Sequence, residues 1–345
     1  MLKLLRELCS IYAVSSDEER VRNYITEKIK NIQDVTYSID SLGNVIAFKK
    51  GEKQPKNKVM LDAHMDEVGF IITGIDENGF LTFDTVGGID GSVLLGRRVV
   101  VGEQFVNGVI GLVPVHLLDE SAKTKLPSIK EMFIDIGAKD KKEAREYVGI
   151  GDFAYFYSEF TVFGDEKIKA RAIDDRFGCA VMLKLLSSPL EYDTWFSFSV
   201  QEEVGTRGAA AAAFSVDPDY CLVIEATTAA DIIDVKGSSR VCVQGDGPAI
   251  SFMDRTTIYN KELYKKAMET ARAKGVKCQS KTLVAGGNNA GVIHKSRKGV
   301  KVLTVSLPCR YIHSAVGVAD IKDVNETVKF VNAVLPILWN DESEV

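Results

Sequence analysis

Four apolar runs of this chain end in histidine or carboxylate. VMLDA leads into His64-Met65-Asp66, TWFSFSVQ into Glu202-Glu203, YCLVI into Glu225, and VLTVSLP is soon followed by His313. Asp174 and Asp175, just ahead of a helical pattern, can join them. Two imidazoles and several carboxylates, with no cysteine among them, suit a hydrolytic, non-redox divalent ion such as zinc. The donors outnumber what one tetrahedral ion takes, which points to two ions. In such a site one carboxylate bridges the ions and others complete each coordination sphere. A further carboxylate outside those spheres accepts the proton of the attacking water. The adjacent Glu202 and Glu203 then take different tasks, because strand alternation aims neighbours apart: one holds metal and the other serves as base.

Taken singly, each residue has a structural explanation. A glutamate pair is ordinarily solvated, His64 and His313 can be hydrogen-bonded core residues, Asp174-Asp175 can cap a helix, and Glu225 can be a buried ion-pair partner. Their recurrence at successive strand ends is what these explanations leave out. His116 in VPVHLL and His294 in GVIHKSRKG read as packing or subunit-contact residues. GGNNAG, from Gly286 to Gly291, lacks the Lys-Ser/Thr of a P-loop and the strand-linked G-x-G-x-x-G spacing. It reads as a tight turn or as a loop that brings backbone close to a substrate. Two rivals stay open on residues alone: a metal-free glycosidase working with two carboxylates, and a peptide-binding scaffold without catalysis.

The elements that must position these groups alternate along the chain. MLKLLRELCS reads as an amphipathic helix rather than a signal peptide. Ser16 followed by Glu19 reads as a capping box, and Val21, Tyr24, Ile25 and Ile29 predict a helix to about Ile32. VTYSID and NVIAFKK form a hairpin, and KVMLDAH is a buried strand. From about Phe70 to about Phe163 the pattern changes to short β-rich runs cut by glycine, as in a small barrel or sandwich. Helical and strand patterns then alternate through DRFGCAVMLKLLSS, TWFSFSVQ, RGAAAAAF, YCLVIEA, NKELYKKAMETARA and KVLTVSLP, and a last helix starts at Asp320. The predicted fold is an α/β domain interrupted by an inserted all-β domain. In open α/β sheets ligands bind beyond the carboxyl ends of the strands, where the polar residues lie.

The composition excludes several classes of function. Lys plus Arg number 43 against 48 Asp plus Glu, a formal net charge of -5, and no basic block is present to meet a phosphate backbone. Nucleic acid is not an expected partner. Apolar residues make up 46 % and charged residues 26 %, and no stretch approaches the roughly 18 uninterrupted apolar residues of a membrane span. The expected protein is soluble and away from membranes. Six scattered cysteines without a C-x-x-C pair read as free, buried thiols of a reducing compartment, the cytoplasm.

The segments AHMDEVGF, RAIDDRFG, VQEEVGTRGA, IEATTAAD, GGNNAGVIH and RYIHS occur in that order, with SLGNVIAF ahead of them and IDIGA in the β-rich stretch. Together they resemble the cytosolic dinuclear aminopeptidases called glutamyl or deblocking aminopeptidases, the TET peptidases of metallopeptidase family 42. The resemblance covers nearly the whole chain. It implies a zinc-peptidase-like three-layer α/β domain with a mixed sheet, residues 1–69 and 164–345, interrupted by a β-barrel dimerisation domain at 70–163. It implies two divalent ions, zinc with cobalt or manganese as alternatives, and short peptides as substrates. Homo-oligomers are implied as well, dimers assembling into a tetrahedral dodecamer.

By motif, His64, Asp174 and Glu225 would bind one ion, and Asp174, Glu203 and His313 the other, with Asp174 bridging. Glu202 would be the general base, and Asp66 would orient His64. The resemblance also implies a non-proline cis peptide between Asp174 and Asp175. Two positions depart from the family's pattern. Glu225 and Asn289 stand where relatives carry aspartate, the second removing a negative charge expected near the substrate loop.

Overall fold

The computed structural model describes residues 1–117 and 127–342. In chain order its strands are β1 (Val35–Ile39), β2 (Val45–Lys49) and β3 (Val59–His64), then β4 (Gly69–Ile75), β5 (Leu81–Val86), β6 (Arg98–Val101), β7 (Val106–Gly111), β8 (Phe133–Asp135) and β9 (Phe153–Phe156). They continue with β10 (Thr161–Phe163), β11 (Lys167–Ala170), β12 (Thr194–Ser199), β13 (Tyr220–Thr228), β14 (Ala249–Ile250), β15 (Gln279–Ser280), β16 (Lys301–Arg310) and β17 (Gly317–Asp320). Strands β4 to β9 close into an antiparallel barrel in the order β4-β5-β8-β7-β6-β9, and the rest form one 11-stranded mixed sheet. Thr161–Phe163, inside the expected 70–163 span, pairs with β11 in that large sheet. Alternate barrel residues such as Phe70, Ile72, Phe83, Ile110 and Phe156 point inward and fill the barrel's own core.

The centre of the large sheet is four parallel strands in the order β12-β3-β13-β16. Their sequences are near-continuous apolar runs, as strands covered on both faces require. Alternation sorts them onto two cores. Val59, Leu61, Leu222 and Ile224 pack with the helices Leu2–Ser10, Glu19–Ile29, Ile173–Leu186, Lys261–Ala273 and Ile321–Trp339. Met60, Cys221 and Val223 pack with the helices Arg207–Val216 and Ala290–Ile293 on the other face. The result is the expected α/β layering, helix, sheet and helix. Among the described residues no helix is long and apolar enough to cross a membrane.

The helix expected from Ser16 to about Ile32 is shorter, Glu19–Ile29, and Ser16 does not cap it. Ser16 is in the left-handed region at φ 76°. Its N–H donates to Glu18 Oε1 at 2.9 Å, because the Glu18 carboxylate turns inward to gather backbone donors instead of leaving the role to the serine. The expected hairpin, the buried strand ending at His64 and the last helix capped by the Asp320 side chain are all present.

Candidate metal centre

Parallel strands bring their carboxyl ends to one edge, and the polar residues collect there. Pairing of β13 with β3 runs to Val223 opposite Asp62; two residues further along each strand stand Glu225 and His64, on the same face. His64 Nε2 lies 3.4 Å from Glu225 Oε1. Glu225 does not end its strand as the sequence suggested, since β13 continues to Thr228 through pairing with β16. On the other side of β3, Ser199 of β12 lies opposite His64, and the chain leaving β12 carries Glu202 and Glu203. His313 follows β16.

Asp174 comes from the start of the helix Ile173–Leu186, and the peptide joining it to Asp175 is cis. Its two oxygens face different histidines: Oδ1 is 3.3 Å from His64 Nε2 and Oδ2 is 3.6 Å from His313 Nε2. His313 Nε2 is also 3.2 Å from Glu203 Oε2. Among the described residues three donor sets have their ligand atoms within 4.8 Å of one another: His64 with Glu202 and Glu203, and then the pair formed by His64 with Asp174 and Glu225 and by Asp174 with Glu203 and His313. In that pair the carboxylate in common is Asp174's.

Surrounding groups fix the orientation of the donors. His64 Nδ1 is 3.0 Å from the Asp66 carbonyl oxygen, and His313 Nδ1 is 2.9 Å from the Gly88 carbonyl oxygen. Donation of Nδ1–H to a carbonyl leaves Nε2 of each ring as the lone-pair atom facing the carboxylates. The Asp66 carboxylate stands further from the His64 ring, at 3.5 Å, than its own carbonyl does. Its nearer partners are the Ser15 hydroxyl at 2.6 Å and the backbone N–H groups of Glu202 at 3.0 Å and Glu203 at 3.1 Å. Asp175 faces away from the donor sets: it accepts the N–H of His64 at 3.3 Å and of Gly178 at 2.9 Å.

The electrostatics call for cations. Burial pushes the Glu203 and Glu225 carboxyls well above their ordinary range, with the negative Asp174 adding to it, and pushes Glu202 up to about 7. Burial works against charging the histidines, yet the surrounding carboxylates outweigh it and raise His64 well above its ordinary value and His313 to about 10. Burial likewise opposes ionising Asp174, but the close His313 and His64 rings hold it far below the usual carboxylate range. The cluster thus retains protons at positions a metal ion would take. Asp174 Oδ1 is buried without a hydrogen-bond partner, which is the state of an oxygen shaped to meet a cation. The mixed imidazole and carboxylate donors fit zinc or a similar divalent ion.

All seven residues singled out from sequence, His64, Asp66, Asp174, Glu202, Glu203, Glu225 and His313, meet at this one edge of the sheet. Asn289 does not. It is buried behind the site, where its amide donates to Asp62 Oδ2 at 2.7 Å and Ser199 Oγ at 2.9 Å, so its lost charge is not on the substrate side. Sequence reasoning missed Ser15, whose hydroxyl donates to the Asp66 carboxylate, and Glu18 and Gly88, which act through backbone contacts; none of these leaves a pattern in sequence. Glu18 Oε1 accepts the N–H of Gln201 at 3.1 Å, next to the Glu202-Glu203 pair. A cleft of about 420 Å³ opens over the centre, with His64, Asp174, Glu202, Glu225 and His313 on one wall and the Gly286–Asn288 loop on another.

Donors of this kind at the carboxyl edge of a parallel sheet, with a barrel inserted after β3, fit a metal-dependent hydrolase. The chain matches the model of the M42 glutamyl aminopeptidase family over residues 43–330, and it belongs to that family. It is 32% identical over 346 residues to the lysyl aminopeptidase of Pyrococcus furiosus, covering 96% of each chain. The aminopeptidase APDkam598 from the archaeon Desulfurococcus kamchatkensis superposes with a TM-score of 0.92 at 34% identity, over 99% of this chain and 97% of that one. The Pyrococcus horikoshii TET1 peptidase, described as able to assemble into a tetrahedron or a large octahedral shell, gives 0.84 at 34% identity over 99% of both chains. By its family the chain is an aminopeptidase, a hydrolase of peptide bonds, and the donors described above fit that family's metal dependence.

Proposed function

We propose that the chain is a dinuclear metallo-aminopeptidase that removes the N-terminal residue from short peptides. His64, Asp174 and Glu225 hold one divalent ion, Asp174, Glu203 and His313 hold the other, and Glu202 is the general base. The carrying observation is the pair of donor sets sharing Asp174, with Glu202 beside them on the cleft wall. Zinc suits the donors best, with cobalt or manganese next. Ions bound there supply Lewis-acid polarisation of the first peptide carbonyl and acidify the attacking water.

The remaining work belongs to the chain. A carboxylate oxygen of Glu202 takes the water's proton and returns it to the departing amine, and its burial on the cleft wall favours holding that proton between the two transfers. Asp66 fixes the backbone from which Glu202 and Glu203 project. His64 and His313 present Nε2 for binding because Nδ1–H of each ring donates a hydrogen bond to a backbone carbonyl. The barrel is the dimerisation lobe, a reading supported by exposed Leu95, Val109 and Ile150 on it, and the assembly described for the Pyrococcus horikoshii relative supports a homo-oligomer. Six unbridged cysteines support a cytoplasmic location.

Glu202→Gln tests the assignment. The variant keeps wild-type metal content by elemental analysis and loses about 10²- to 10⁴-fold in turnover, the worth of a general base, whereas Glu203→Gln loses metal. A fully active Glu202→Gln protein, or a wild type that binds one ion at saturation, would contradict the proposal.

A further inference from the structure

The cleft is electrically lopsided. One wall carries the acidic cluster. On the rest of its lining, among the described residues, the one cationic side chain apart from the two histidines is Lys281. Its neighbours there include Val241, Leu283 and Ala285.

Lys281 is not an ordinary surface lysine. It is 9% exposed, and its ammonium donates to the Ala285 carbonyl at 3.2 Å, its one hydrogen bond among the described residues. An ammonium has three N–H donors, so two remain for a ligand. No described carboxylate lies within salt-bridge distance of it. Asp231, which acts on Cys242 from the same neighbourhood as Lys281, is committed to Arg310 by two bonds of 2.7 Å and to the N–H of Gln244. Its backbone is held as well: Lys281 N–H donates to Ile250 O at 3.0 Å, and the next residue, Thr282, bonds to Ser238 O and Val241 O through its hydroxyl. A nearly buried charge on a fixed segment, without a counter-ion, gains most from a ligand that brings one.

We propose that Lys281 determines specificity by receiving the side-chain carboxylate of the substrate's first residue, so that the enzyme prefers peptides beginning with glutamate or aspartate. The inference rests on the aminopeptidase reading above. A substrate with an acidic first residue brings its side-chain carboxylate to the lysine while its first peptide bond lies against the ion-binding wall, and so supplies the counter-charge that Lys281 lacks. A basic first residue sets two cations against each other. A neutral one leaves Lys281 buried and unanswered. The family does not decide this, since its model is named for glutamate and a relative of this chain for lysine.

The test uses the metal-loaded full chain and anilides of glutamate, leucine and lysine, which have no C-terminal carboxylate. The expected result is a kcat/KM for the glutamyl anilide at least tenfold above the leucyl and lysyl ones, and a Glu-to-Leu ratio that falls at least tenfold in Lys281→Met. Lys281→Glu is expected to invert the order of the glutamyl and lysyl anilides. Calorimetric titration with free L-glutamate and L-leucine gives a readout independent of turnover, with tighter glutamate binding lost in Lys281→Met. It also serves, through Lys281→Gln, if the methionine variant fails to fold. A wild type that prefers leucyl or lysyl substrates, or a ratio unmoved by the substitution, overturns the proposal. So does a Lys281 effect seen on leucyl dipeptides but absent from the anilides, because the carboxylate received would then be the C-terminal one. Hydrolysis of none of the anilides counts against the aminopeptidase reading instead, and the glutamate titration still decides the role of Lys281.

Discussion

Asp66→Asn separates the geometry of the Glu202-Glu203 pair from its chemistry. The carboxylate is fully buried and both of its oxygens accept backbone N–H groups, Oδ1 from Glu202 and Oδ2 from Glu203. Asparagine has the same shape but only one acceptor oxygen. Whichever way the amide turns, its NH₂ meets a backbone N–H, one hydrogen bond is lost and a buried donor is stranded. A stranded buried donor costs about 1–3 kcal/mol. The surviving bonds also lose their charge-assisted strength, about 1 kcal/mol more. The expected loss of stability is therefore about 2–4 kcal/mol, read by chemical denaturation of the metal-free protein. Because the strained segment carries Glu203, metal affinity is expected to fall about 10- to 100-fold in a competitive chelator titration. Ser15→Ala is the control, since it removes the hydroxyl from Oδ2 while both backbone N–H groups stay satisfied. An Asp66→Asn protein with wild-type stability and metal affinity would refute the claim that this carboxylate positions the pair.

Two further outcomes follow from the same centre. Glu202, Glu203, Glu225, His64 and His313 all have folded-state pKa values raised above their ordinary ones, so the metal-free folded chain binds protons more tightly than the unfolded chain. Stability contributed by those protons is present at low pH and is lost as pH rises through the folded values. Thermal melts of the metal-free protein should therefore fall as pH is raised from about 5 to 8, and the gain on adding zinc should grow across the same range; a flat or rising metal-free profile would contradict this. Gly178→Ala places a Cβ 2.5 Å from Asp175 Oδ2 and 2.7 Å from Ala63 Cβ, displacing the carboxylate that holds the His64 N–H. The expected cost is about 1–3 kcal/mol in denaturation, and an alanine variant as stable as wild type would show that the contact is not limiting.

The sequence carried much of this structure because the strands that build the site are buried on both faces. Their apolar runs are unbroken except where chemistry interrupts them, so Asp66, Glu202, Glu203 and His313 stand out as ends. Glu225 was legible as a candidate ligand near a strand end, but not the continuation of β13 to Thr228, because the pairing that extends the strand comes from β16, far along the chain. The Ser16 capping box failed for a related reason. Local spacing favours a serine cap, but Glu18 is drawn inward by the Gln201 N–H, a contact 183 residues away in sequence. Asn289 was placed near substrate by its glycine-rich neighbours, although the residue just before it, Asn288, lines the cleft. Side chains acting on distant backbone, such as Glu18 and Asp66, carry no periodic signature and become visible only in three dimensions.

His313 takes its ring orientation from Gly88, on the stretch of chain that leaves barrel strand β5. The two lobes are thus joined by a hydrogen bond at an imidazole proposed to bind metal, not merely tethered by peptide. A tilt of the barrel against the sheet would withdraw that carbonyl and remove the hydrogen bond that orients Nδ1. A neighbouring subunit that pressed on the barrel would, on this reading, act on the nitrogen proposed to grip the cation.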